Sequence, residues 1–180
     1  MDLNRLSTGE KVLGISGLVL FITSFLSMWA KVDYRAEGLP EEAVTGLGEP
    51  EFTLWNGYGI LPKLGVLIAL LLVVFVVAKA AGALGNVNLP VPETLIYLGG
   101  AAIVVLTMLI ALIFGTEGAN ESSGFGVTVE VERGLLLYLG VLLSLAMAAG
   151  AYLHMQEAGP ATTTGTGVGP STPTPPPPAT

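Results

Sequence analysis

Four long apolar runs, about Val12 to Ala30, Leu64 to Ala81, Thr94 to Phe114 and Gly134 to Leu153, constrain this chain more than any other feature. At about 1.5 Å per residue each reaches roughly 27–32 Å as a helix, which matches a hydrocarbon core of about 30 Å. Hydrophobic residues make up 52% of the 180 and charged residues 12%, well below the roughly 25% charge of a soluble domain. The expected fold is an all-α membrane protein: a four-transmembrane-helix bundle with helices at about 12–30, 64–81, 94–114 and 134–153, surrounded by the lipid bilayer. The first run resembles a signal peptide in following Arg5 and Lys11. It is expected to remain as an anchor, because bulky Met28 and Trp29 stand where cleavage needs small residues. In the head, STGE reads as Ser/Thr capping followed by a Glu in the first turn, at the membrane face.

The segments between the runs differ in kind. Residues 31–62 are acidic and broken by Gly38, Pro40, Gly46, Gly48 and Pro50, so no continuous helix fits there. Within them EFTLWNG has strand-like composition ending at an Asn56-Gly57 turn, and GVTVEVERG alternates with period two. Val127, Val129 and Val131 fall on one face of such a strand, Thr128, Glu130 and Glu132 on the other. We expect EFTLWNG to pair with residues 126–133, so that loops one and three (31–62 and 116–133) form a small extracytoplasmic β-sheet cap. Residues 81–93 read as a short connection with Pro92 opening the third helix. Residues 158–180, rich in Pro and Thr, have almost no large apolar side chain and are expected to be a disordered, solvated tail rather than a docking peptide.

Orientation does not follow from Lys and Arg. Arg5, Lys11 and Lys79 lie on one side; Lys31, Arg35, Lys63 and Arg133 lie on the other, three against four. The opening MDLNRLSTGEKVLGISGLVLFITSFLSMWAKV resembles the start of small, uncharacterised four-helix integral membrane proteins of actinobacteria. Trp55 before the second helix, and Gly134 and Gly150 bracketing the fourth, match as well. The resemblance implies cytoplasmic N- and C-termini and carries no assigned activity. The LPKLG stretch around Lys63 and the Pro/Thr tail depart from that pattern. The layout is also analogous to claudin-type tetraspans, without their paired cysteines, since the chain has none.

Little in the sequence points to chemistry. Proton relays and coupled transporters need ionisable groups at membrane depth, and the first run offers only Ser16, Thr23, Ser24 and Ser27 where small multidrug antiporters carry a glutamate. His154, the single histidine, is expected to be interfacial, and Lys63 and Lys79 to snorkel. Ser16, Thr23 and Ser27 share a helical stripe expected to face protein. Gly140, Ser144 and Ala148 form a small-xxx-small ridge suited to packing within the bundle, or to a homodimer seam. Trp29 and Trp55 are expected as anchors at the headgroup level.

The acidic loops show no EF-hand spacing. No hydrolase, zinc-protease or phosphate-loop motif is present, and a net charge of −7 argues against nucleic acid. No catalytic, cofactor or metal residue is therefore expected. The expected role is a non-enzymatic scaffold or accessory subunit in the cell membrane, acting with a membrane-protein partner or as a homo-oligomer. The alternative is a small channel or transporter subunit formed on oligomerisation.

Overall fold

The computed structural model describes residues 6–36, 51–83, 90–115 and 127–158. Along the chain they form α1 (Thr8–Thr23), β1 (Ala30–Ala36), β2 (Glu51–Phe52), a single helical turn α2 (Leu54–Gly57), α3 (Ile60–Ala80), α4 (Glu93–Phe114), β3 (Val127–Arg133) and α5 (Leu135–Glu157). Helices α3, α4 and α5 are long and apolar enough to cross a membrane.

Helix α1 starts four residues earlier and ends seven residues earlier than its apolar run suggests. Its start is set by a capping box: Ser7 Oγ accepts the Glu10 N–H at 3.2 Å, and Glu10 Oε2 accepts the Ser7 N–H at 2.9 Å. Its end is set by competing hydroxyls and tightening turns. Thr23 Oγ1 and Ser24 Oγ donate to the carbonyls of Leu20 and Phe21, and the N–H groups of Phe25 and Leu26 donate to carbonyls three residues back. Met28 then adopts φ 96° and turns the chain back on itself. Apolar composition alone does not separate such a buried turn from another turn of helix. Helix α3 also begins early, at Ile60, with Pro62 in the first turn, where its missing N–H costs no hydrogen bond.

The four long helices close into a ring in which α1 packs on α3 and α5, and α4 packs on the same two. Neighbours run antiparallel. Gly9 abuts Gly150 and His154 while Gly140 abuts Trp29 and Leu20; likewise Gly65 meets Thr107 while Gly100 meets Leu72. Leu13, Leu20, Val66, Ala69, Val104, Met108, Leu137 and Met147 are fully buried at the centre. Burying each large apolar side chain contributes about 1.5–3 kcal/mol when the reference is water, and correspondingly less when it is lipid.

At one end the bundle carries a three-stranded antiparallel sheet ordered β2-β1-β3. The register sets Val131, Val129 and Val127 opposite Val32, Tyr34 and Ala36, and Ala30 opposite both Arg133 and Phe52. A sheet joining loops one and three thus forms, but its wiring differs from the expectation. Residues 30–36 supply the middle strand, and of EFTLWNG only Glu51–Phe52 is strand, paired with β1 instead of β3. The Asn56-Gly57 turn signal closes α2 rather than a strand. The valine alternation falls on residues whose side chains lie outside the described set, as do residues 84–89 and 159–180 of the expected connection and tail.

Gly134 explains how the sheet is tied to the bundle. A Cβ there would lie 1.9 Å from the Met28 carbonyl oxygen, so only glycine permits the approach that lets its N–H donate to Trp29 O at 2.8 Å. The Tyr58 hydroxyl donates to the same carbonyl at 2.8 Å, and burial pushes its pKa up to about 12.

Candidate functional site

The antiparallel ring brings the N-terminal ends of α1 and α4 together with the C-terminal ends of α3 and α5, opposite the sheet. The chain places acids on the first two, Glu10 and Glu93, and bases on the others, Lys79 and His154. Each sign is the one its own helix dipole favours, so the alternation of helix direction gathers complementary groups at one end.

Their side chains meet. Glu10, only 1% exposed, accepts at Oε1 from Lys79 Nζ at 2.7 Å and from the Tyr97 hydroxyl at 3.2 Å. His154 Nδ1 lies 3.8 Å from the same oxygen and 3.0 Å from Ser7 Oγ. Lys79 Nζ also donates to Glu93 Oε2, so one ammonium joins α3 to α1 and to α4. Tyr97 is fully buried, edge-on to both His154 and Phe75. A further tie between α1 and α5 is the Gly9 N–H donating to Glu157 Oε2 at 3.3 Å. Lys79, Tyr97 and the Ser7 N–H together satisfy the deeply buried Glu10 carboxylate, which without partners would be strongly unfavourable.

The arrangement does not form a nucleophilic triad. Ser7 and Glu10 both approach Nδ1 of His154, whereas a serine–histidine–acid relay uses the two ring nitrogens separately.

Several sequence expectations are revised at this end. His154, in the last turn of α5, is buried in the cluster. Lys79 is clamped between two carboxylates and is 26% exposed. The first helix does carry a glutamate, because the capping box starts it before Glu10. Glu10, Glu93 and Tyr97 were not among the expected site residues. The available signal was acids in two first turns and bases in two last turns, read together with antiparallel packing.

Of the packing stripe, Ser16 and Thr23 are buried, but Ser27 lies beyond the helix end and is exposed. The Gly140, Ser144, Ala148 ridge faces inward at its first two members. Gly140 lies under the Trp29 ring, Ser144 is fully buried with its hydroxyl on Val141 O, and Ala148 is half-buried. Trp29 is no headgroup anchor: it is fully buried, and its Nε1 donates to Thr23 O at 2.7 Å. Trp55 is half-buried, stacked on Phe25 at 5.6 Å, with Nε1 donating to Ser24 Oγ at 3.1 Å. No family model matches the sequence and no curated protein matches it, so the reading of this cluster rests on its geometry.

Proposed function

We propose that this chain is a four-span integral membrane protein of the cell membrane, acting as a non-enzymatic scaffold or accessory subunit. The observation that carries the reading is the interior of the ring. It is packed by Leu, Val, Ala and Met, and three of its buried hydroxyls are turned onto their own helices: Thr107 to Val104 O, Ser144 to Val141 O, Thr23 to Leu20 O. A permeation path for ions needs polar groups directed into it, and among the described residues the middle of the ring buries no ionisable side chain. The ionisable groups instead gather at one end, where Lys79 bridges Glu10 and Glu93 and locks helix register.

The outward faces support the fourth span. Helix α1 covers only about 24 Å, yet it exposes Ile15, Leu18 and Ile22 as freely as α3 exposes Leu71 and Val74. Such a surface is stable against lipid and not against water. The turn from Ser24 to Met28, with exposed Phe25 and Leu26, completes the crossing. In this reading the sheet is extracytoplasmic and both termini are cytoplasmic, in line with the actinobacterial resemblance.

The rival, a channel or transporter subunit, draws on Glu10 alone, and Lys79 and Tyr97 hold that carboxylate. Purified protein reconstituted into liposomes should leave proton and monovalent-ion flux at the lipid-only level. A photo-reactive residue at Leu71, facing outward, should give one discrete adduct with a membrane protein in native membranes. Flux that scales with protein content would overturn the scaffold reading.

A further inference from the structure

Glu10, Glu93 and His154 come from three different helices, and one ligand atom from each lies within 4.8 Å of the other two. Around a tetrahedral ion with bonds of about 2.1 Å, ligand atoms sit roughly 3.4 Å apart. Glu10 Oε1 and His154 Nδ1, at 3.8 Å, are close to that spacing already. Glu93 is 35% exposed and has the rotamer freedom to complete the set. Two carboxylates and an imidazole suit a borderline divalent ion, with a water in the fourth position.

The cluster is also short of positive charge. Glu10 and Glu93 carry two negative charges and Lys79 one positive, all within hydrogen-bonding reach. The Glu10 carboxylate differs in mobility from the ammonium it binds. Glu10 is fixed by the capping box and by Tyr97, whereas Lys79 ends a flexible stem, sits in the last turn of α3 and is partly exposed. A lysine so placed reaches the headgroup region by extending.

We propose that Glu10, Glu93 and His154 form a binding site for one divalent transition-metal ion of the Zn2+ type, with Lys79 as the displaceable cation that fills the site between occupancies. Metal entry moves the ammonium out and leaves the two carboxylates balanced by a charge of two.

The chain suits a clean test, because it has one histidine and no cysteine. Untagged full-length protein in detergent micelles is dialysed against Zn2+ and its metal content measured. One Zn2+ per chain is expected, with loss of that ion in His154→Asn. Lys79→Met, which removes the competing cation, should bind Zn2+ roughly tenfold more tightly, and Zn2+ should raise its melting temperature by about 4 °C or more. A purely structural lysine predicts instead that Zn2+ leaves the melting temperature of the variant unchanged. If Lys79→Met fails to fold, the wild-type stoichiometry and its loss in His154→Asn decide. Wild-type protein that retains no Zn2+, or retains as much as folded His154→Asn, overturns the proposal.

Discussion

A Cβ placed on Gly9 would lie 2.4 Å from the carbonyl oxygen of Gly150, so α1 and α5 cross backbone against backbone beside the polar cluster. That oxygen, and the His154 backbone nitrogen beside it, belong to no side chain that could swing away. Gly9→Ala should cost about 3 kcal/mol or more, and Gly150→Ala, whose Cβ would meet Gly9 O and Leu13 N at 2.7 Å, a similar amount. Gly99→Ala, with nothing within 4 Å, should be neutral or stabilise α4 by up to about 1 kcal/mol. Thermal unfolding in detergent measures all three.

Removing one partner of the buried pair should cost more than removing both. Lys79→Met leaves Glu10 buried with only Ser7 and Tyr97 as donors, a loss of about 3–5 kcal/mol. Glu10→Gln keeps the capping-box acceptor and removes the charge. The double variant should be more stable than the sum of the single effects by at least about 1 kcal/mol. Strict additivity would mean that the ammonium and carboxylate do not act on each other.

Trp29 should behave as a core residue. Trp29→Ala should lose about 3–5 kcal/mol, since it empties the space against Gly140 and Tyr58 and discards the bond to Thr23 O. In Trp55→Phe protein the remaining Trp29 emission should be blue-shifted and shielded from an aqueous quencher. Emission quenched as freely as that of a headgroup anchor would refute the burial.

Met28 holds φ 96°, a conformation that favours glycine, while its side chain is partly exposed. Met28→Gly should therefore stabilise the fold by about 1 kcal/mol. A loss of stability would show that the methionine side chain contributes more than the backbone strain costs.

Hydropathy was enough to find α3, α4 and α5 to within a few residues, because lipid demands unbroken apolar helices and their length follows from bilayer thickness. It misplaced the end of α1, where Phe25, Leu26, Met28 and Trp29 are apolar yet form a turn. The valine alternation disclosed β3, while the middle strand went unread because residues 30–36 follow directly on an apolar run. The cluster was half legible. The capping box named Ser7 and Glu10 by local rules, but the convergence of Glu10, Lys79, Glu93, Tyr97 and His154 depends on which helix ends the ring brings together, and no local spacing encodes that.

Helix α1, with 16 residues, is the shortest of the four long helices and the one whose crossing of the membrane decides between three spans and four. Thr8, Asn56, Glu132 and Gln156 are exposed, and the absence of native cysteine allows single cysteines at each. A membrane-impermeant thiol reagent applied to intact cells should label Asn56→Cys and Glu132→Cys, and should reach Thr8→Cys and Gln156→Cys only after permeabilisation. Thr8→Cys and Asn56→Cys reacting from the same side would mean that α1 does not cross, which would contradict the four-span bundle.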